Sequence, residues 1–201
     1  MKPMRCDDIL EFWFGSNPDD AAVAKEKSAL WWSKKPAVDD EIRARFEALI
    51  LKAATAQLAD WETDPRGRLA LILLTDQFPR NIYRDSPKAF AYDSKALAWC
   101  RAGIDRGLDV QLRPIERVFF YLPLEHAETL EHQNESVKHF RRLLDTVGAD
   151  LKAVFTEYLD FAVRHREIIA RFGRFPHRNK ILGRESTAEE LAFLNQPGSS
   201  F

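Results

Sequence analysis

Apolar residues along this chain recur at steps of three and four, and no long segment alternates apolar and polar residues as a half-buried strand does. Residues 41–58 show the spacing clearly, with Ile42, Phe46, Leu49 and Ile50 on one helical face. A chain patterned in this way buries its apolar surface by packing helix against helix. The sequence therefore predicts an all-α fold.

Several helix boundaries are marked by residues whose chemistry suits a helix end. Asp64, Ser86 and Arg113 each precede a proline, which is favourable in the first turn of a helix but not in its interior. Gly173 suits the position just past a helix end. The sequence STAEELAFL, residues 186–194, carries the capping pattern that precedes a short helix. These signals predict where five of the helices begin or end.

The composition is that of a globular protein. The chain has 201 residues, of which 45% are hydrophobic and 30% are charged. It is therefore long enough to bury a substantial core and is not expected to be disordered. No linker, low-complexity tract or repeat of fixed period interrupts it. We predict one helical domain over residues 1–201, with a loose tail over about residues 195–201.

The net charge and the cysteine content restrict the classes of partner and the cellular location that the sequence predicts. The formal net charge is −1, so no overall field attracts nucleic acid or an anionic membrane. The longest aliphatic run, residues 69–74, is too short to cross a bilayer. Cys6 and Cys100 form no C-x-x-C pair, and residues 1–20 carry acids where a signal peptide needs an apolar stretch. We predict a cytoplasmic protein without a membrane or nucleic-acid partner.

The most apolar segment leads directly into an acidic residue. Residues 69–74 are apolar around the whole helical circumference, which predicts a helix buried on all sides. Asp76 and Gln77 follow, and Pro79 indicates that the helix ends there. A carboxylate at a buried helix C-terminus opposes the helix dipole and is costly without a cation. Arg80 is the natural partner for Asp76.

Two sequence segments of similar chemistry, here called the Phe-Pro segments, lie far apart in the chain: DQFPRNI at residues 76–82 and GRFPHRNKILG at residues 173–183. Residues 164–184 contain seven basic side chains and one acid. Six of the seven are arginine, which suits two-pronged contacts with carboxylate or phosphate. In one interpretation the Phe-Pro segments are turns between helices, and their arginines neutralise buried acids. The other makes them opposite walls of a cleft that binds an anion through Arg80, Asn81, Arg174, His177, Arg178 and Asn179.

His126 is the candidate for acid–base chemistry. It follows Pro123, which predicts a position at the start of a helix, on the same inward face as Leu130. Asp76 or Glu125 is the candidate that orients its ring. A histidine on an apolar stripe is also commonly a hydrogen-bonded core residue, so the role stays open. No His, Cys or carboxylate spacing is typical of a metal site, and we predict neither a metal nor a cofactor.

Four longer motifs resemble those of a known protein family: ILEFWFG, DQFPRNIYR, FFYLPLEHAE and FGRFPHRNKILGRES. With them the chain resembles, from about Ile9 to the final ELAFL, a family of bacterial proteins known only as a domain of unknown function. The resemblance implies antiparallel helix pairs stacked in a compact right-handed superhelix, similar to tetratricopeptide-repeat proteins. It implies no activity. The chain also lacks the regular period of about 34 residues, so peptide binding does not transfer from repeat arrays by fold alone.

Two functions fit these observations. The first is a binding module whose arginine- and histidine-rich cleft holds an anionic small molecule or an acidic peptide. The second is an enzyme of an undescribed type, with His126 as the acid–base group and the arginines holding an anionic substrate. No nucleophile–base pair can be identified in the sequence. Binding therefore ranks first, and whether the protein is an enzyme stays open.

Overall fold

The fold is all-α, as predicted. The computed structural model describes residues 4–199, which form helices joined by turns and contain no strand. A single π-helical turn, Leu73–Gln77, joins α4 to α5 among these residues. Short 3₁₀ turns span Ala59–Thr63, Pro87–Phe90, Asp109–Gln111 and Pro176–Arg178. In chain order the α-helices are α1 (Cys6–Phe14), α2 (Asp20–Trp32), α3 (Pro36–Ala54), α4 (Pro65–Ile72), α5 (Phe78–Ile82), α6 (Asp93–Asp105), α7 (Pro114–Glu125), α8 (Leu130–Thr146), α9 (Ala149–Phe172) and α10 (Ala188–Leu194).

Local hydrogen bonds explain several of the helix ends. At the start of α4 the Asp64 carboxylate accepts the Gly67 N–H at 2.8 Å. At the start of α10 the side chains of Thr187 and Glu190 cap each other's backbone N–H groups. Gly173, with a φ of 68°, ends α9 in the left-handed conformation that glycine adopts without strain. These predicted boundaries are confirmed.

The helical segment from α4 to α5 runs through the middle of the molecule. Residues 69–74 are each at most 1% exposed. Helix α4 packs against α1, α6 and α7, while α3 covers the π turn and α5. The rings of Trp13 and Phe46 lie 5.4 and 5.0 Å from the ring of Phe78. The predicted burial of residues 69–74 is confirmed.

The second half of the chain packs consecutive helices side by side. Helices α7, α8 and α9 are joined by turns of a few residues, so each lies against the next. Helix α2 packs against both α7 and α9, which brings the N-terminal half of the chain against this layer. The stacking of all pairs into a tetratricopeptide-like superhelix remains a prediction, as does the organisation of the whole chain as one domain.

The last described residues turn back on α10. The Ser199 hydroxyl donates to the Leu194 carbonyl at 3.1 Å. Of the tail predicted to be loose, residues 200 and 201 lie outside the described residues. None of the helices within residues 4–199 has the length and apolar character needed to cross a membrane.

Candidate functional site

A cavity of about 680 Å³ opens among α2, α5, α7 and α9. Its volume lies in the range of small-molecule sites, about 300–1,000 Å³. One end of the cavity, here called the polar end, is lined by Gln77, Arg80, Glu125, His126, His165 and Arg178. The remainder, here called the apolar end, is lined mainly by Trp31, Trp32, Val118, Leu122, Phe140, Val154, Tyr158 and Phe161.

The polar end is built on an irregularity of the central helix. The Phe78 N–H bonds to the Leu73 carbonyl, five residues back, so the helix widens into a π turn and continues into α5. Pro79 has no N–H to donate, and the wider turn carries the helix past it. The predicted helix end at Asp76 and Gln77 is therefore wrong. Both residues lie inside a continuous helical segment and are buried.

Asp76 is the most enclosed group of the polar end, with no exposed surface. Its carboxylate lies 2.7 Å from His126 Nδ1, accepts a hydrogen bond from Gln77 Nε2 at 2.6 Å, and lies 3.3 Å from Arg80 Nη1. Burial raises the pKa of Asp76, but Arg80 and His126 outweigh it and hold that pKa well below its usual range. Asp76 is therefore ionised at neutral pH.

His126 lies at the end of α7, so the prediction that it starts a helix is wrong. Pro123 sits inside α7, and the His126 N–H donates to the Leu122 carbonyl at 2.9 Å. Burial and the charge of Arg80 lower the pKa of His126, which makes the ring neutral at pH 7. Nδ1 donates to ionised Asp76, so Nε2 carries the lone pair. Within residues 4–199 no group hydrogen-bonds to Nε2.

Asp93, the first residue of α6, contacts an arginine of each of the two Phe-Pro segments. Arg80 binds it with two hydrogen bonds of 2.8 Å. Arg178 Nη1 lies 3.8 Å from the same carboxylate and donates to the His126 carbonyl at 3.1 Å. The structure thus brings Arg80, Arg178 and His126 together. Asp93 is not recognisable as a site residue from the sequence, because an acid in the first turn of a helix is ordinary and signals no site.

Arg178 is a buried cation with unused donors. It is 6% exposed, and its guanidinium carbon lies 4.7 and 4.5 Å from the ring centres of Phe90 and Phe175. Among the described residues it makes one hydrogen bond, which Nη1 donates to the His126 carbonyl, while Nε is buried without a partner. Burial and the nearby charge of Arg80 lower the pKa of Arg178 to about 10. The side chain therefore stays charged at neutral pH.

Glu125 and His165 form a second buried pair at the polar end. His165 Nδ1 lies 3.2 Å from Glu125 Oε1 and donates to the Phe161 carbonyl at 2.8 Å. Burial, reinforced by the charge of Asp76, raises the pKa of Glu125 to about 8. Burial lowers the pKa of His165 to about 3. Both side chains are uncharged at neutral pH, because a poorly hydrated environment disfavours either charged form.

Two of the predicted site residues are directed elsewhere. Arg174 makes hydrogen bonds of 2.7 and 2.8 Å with the Glu190 carboxylate, and Asn179 Nδ2 lies 3.3 Å from the same group. Neither lines the cavity, so the interpretation of arginine as the partner of a buried acid applies to Arg174. Asn81 and His177 do line the cavity, and burial lowers the pKa of His177 to about 4.

The described residues offer no constellation for a metal. Between residues 4 and 199 no group of three or more His, Cys, Asp or Glu side chains is placed to hold a metal ion. Around the polar end, the two ionised carboxylates of Asp76 and Asp93 are balanced by the two guanidinium groups of Arg80 and Arg178.

Comparisons with other proteins agree with the family resemblance seen in the four motifs. A family model described as a bacterial protein of unknown function (DUF924) matches residues 9–198. A solved structure, that of the protein of unknown function ATU0120 from Agrobacterium tumefaciens, is 37% identical, with 94% of this chain and 96% of that chain covered and a TM-score of 0.80. No curated protein matches the chain. The predicted resemblance is confirmed.

Proposed function

Because the chain belongs to DUF924, a family of bacterial proteins of unknown function, we propose a function from the site itself: the protein binds a small organic anion in its cavity. The observation that carries this proposal is the incomplete pairing of Arg178. A guanidinium has five N–H groups, and the described residues use one of them. An anion at Nη2 supplies a hydrogen-bond acceptor and a negative charge in closer contact than the Asp93 carboxylate, which lies 3.8 Å from Nη1.

The other two guanidinium groups of the cavity, those of Arg80 and Arg84, are already occupied. Arg80 is held by Asp93 and Asp76, and Arg84 is held by the Asp39 carboxylate with hydrogen bonds of 2.6 and 2.8 Å. Arg178 therefore has the largest unsatisfied capacity among these guanidinium groups. Because it is only 6% exposed, a small molecule that enters the cavity reaches it better than an acidic peptide on the surface.

The charges around the polar end favour a ligand with one negative charge over a ligand with two. The ionised groups of the polar end cancel, and Glu125 and His126 are neutral at pH 7. A monoanion adds one charge next to Arg178, whereas a dianion adds two within the reach of Asp93 and Asp76. Neutral Glu125 is able to donate a hydrogen bond, and His126 Nε2 is able to accept one. The free thiols of Cys6 and Cys100 support the expected reducing, cytoplasmic location.

Replacing Arg178 with Met tests the assignment. The apolar stem keeps its contacts with Phe90 and Phe175, and Asp93 keeps both bonds to Arg80. We expect the free energy of unfolding to change by less than about 1 kcal/mol or to rise, because a poorly paired buried charge is removed. The shift in melting temperature that benzoate or octanoate causes in the wild type is expected to disappear.

Arg184→Met is the matched control for this variant. Arg184 lies in the same segment and binds Glu128 with bonds of 2.7 and 3.0 Å, but it does not line the cavity. We expect it to cost about 1 kcal/mol of stability and to leave the ligand-induced shift intact. If Arg178→Met instead destabilises the fold by several kcal/mol and leaves the shift unchanged, Arg178 is a structural partner of Asp93 and the proposal is wrong.

A catalytic role is the second candidate, and the Asp76–His126 pair favours it. Asp76 holds His126 with Nδ1 protonated, so the neutral ring presents Nε2 as a proton acceptor. Such a base can take a proton from a water molecule that attacks a bound ester. We expect any hydrolysis of 4-nitrophenyl octanoate above background to be lost in His126→Gln, while octanoate still binds. Wild-type rates equal to those of His126→Gln would exclude this role for ester substrates.

A further inference from the structure

We infer that the ligand is an amphipathic monocarboxylate, with its carboxylate on Arg178 and an aliphatic or aryl body in the apolar end of the cavity. This inference rests on the proposed function and specifies the substrate class. It is carried by the continuity of one cavity from a buried guanidinium to a wall of aliphatic and aromatic side chains. A site built only for a small inorganic anion has no use for the apolar end.

The apolar end is deep and preformed. Val118, Leu122 and Phe140 line it and are 1, 5 and 2% exposed. They belong to α7 and α8, which are held in the core by the neighbouring helices. Hydrocarbon transferred from water onto such a wall gains free energy in proportion to the apolar area buried. The wall therefore selects a ligand with an apolar body.

Two exposed aromatic rings from different helices line the same cavity. Trp32 at the end of α2 is 49% exposed and Phe161 on α9 is 43% exposed, and both line it. Large aromatic side chains left partly in water on two different helices around one opening are typical of binding sites. Tyr158, on the same helix as Phe161, also lines the cavity, and its ring lies 6.0 Å from that of Trp32. An acyl or aryl body that extends from the polar end covers these rings.

The head group follows from the polar end. Arg178 supplies a cation that is only loosely paired, 3.8 Å from Asp93, while Arg80 makes the close contacts with Asp93 and Asp76. A carboxylate matches the planar guanidinium with two parallel hydrogen bonds and carries one charge. A phosphate monoester carries more negative charge into the reach of Asp93, and an alcohol or amine leaves Arg178 unpaired.

Calorimetric titration with octanoate, acetate, 1-octanol, octylamine and octyl phosphate tests the inference. We expect octanoate to bind at least about 100-fold more tightly than acetate, because each added methylene that leaves water contributes free energy. We expect 1-octanol, octylamine and octyl phosphate to bind at least about tenfold more weakly than octanoate. Trp32→Ala and Phe161→Ala should each weaken octanoate binding about three- to tenfold. Both side chains are more than 40% exposed, so truncation is expected to cost less stability than at a core position.

Leu51→Ala is the matched control, since Leu51 is 56% exposed and does not line the cavity; it should leave octanoate affinity unchanged. Equal binding of acetate and octanoate, both lost in Arg178→Met, would overturn the amphipathic class and keep the anion site. Equal binding of octanoate and 1-octanol, unaffected by Arg178→Met, would overturn the proposed function as well. Binding of benzoate without octanoate would restrict the body of the ligand to an aryl group, whereas binding of neither benzoate nor any of the five compounds to the folded protein would overturn both the inference and the proposed function.

Discussion

Replacing Arg80 with Met is expected to lower the free energy of unfolding by about 3–5 kcal/mol at pH 7, because it leaves buried charge without its partner. Arg80 binds Asp93 with two bonds of 2.8 Å and lies 3.3 Å from the fully buried Asp76 carboxylate. Methionine preserves most of the apolar stem, so the loss reports on the guanidinium. Urea denaturation of both proteins gives the difference.

The pH dependence of this loss identifies its origin. The pKa of Asp76 lies well below its usual range in the folded protein. The carboxylate therefore contributes stability above its unfolded pKa, and that contribution is lost as the pH falls through the folded value. We expect the loss in Arg80→Met to be complete at pH 7 and to shrink below about pH 4. Arg84→Met, which frees the partly exposed Asp39, is the control and should cost about 1 kcal/mol. Equal losses in the two variants would contradict the role assigned to Asp76.

Replacing Glu125 with Gln is expected to change how stability depends on pH. Burial raises the pKa of Glu125 from 4.5 to about 8. Between these values the unfolded chain releases the Glu125 proton and the folded chain keeps it, so wild-type stability falls as the pH rises. Glutamine removes this proton. The stability of the variant relative to wild type should rise by roughly 3–5 kcal/mol from pH 4 to pH 9, since one pKa unit corresponds to about 1.4 kcal/mol.

Glu128→Gln is the matched control for this slope. The pKa of Glu128 is lowered because its bonds to Arg184 and to the Phe175 N–H outweigh burial. Its contribution to stability is present above its unfolded pKa and is lost as the pH falls, which is the opposite sign. A difference in stability between Glu125→Gln and wild type that stays constant from pH 4 to pH 9 would show that Glu125 has the same pKa in the folded protein as in the unfolded chain. Octanoate affinity should also fall above pH 8 in the wild type but not in Glu125→Gln.

The chain itself determined the helical class, several helix boundaries and the buried central segment. These features depend on neighbouring residues: Asp64 caps the turn that follows it, Gly173 adopts a left-handed conformation, and residues 69–74 present apolar side chains on every side. Such short-range interactions depend on the side chains of a few consecutive residues. They were predictable because no distant part of the chain has to be known.

The composition of the site was decided by tertiary structure. Nothing near Pro79 in sequence indicates that the chain continues through a π turn, because that depends on the packing of α3, α6 and α7 around it. Arg178 meets Asp93 and His126 across 85 and 52 positions of the chain, whereas Arg174, four residues earlier, meets Glu190. Arginines of one segment thus differ in role through the direction in which the fold points them. Side-chain chemistry supplied the candidates, and only packing of distant helices separated the partners of buried acids from the cation that faces the cavity.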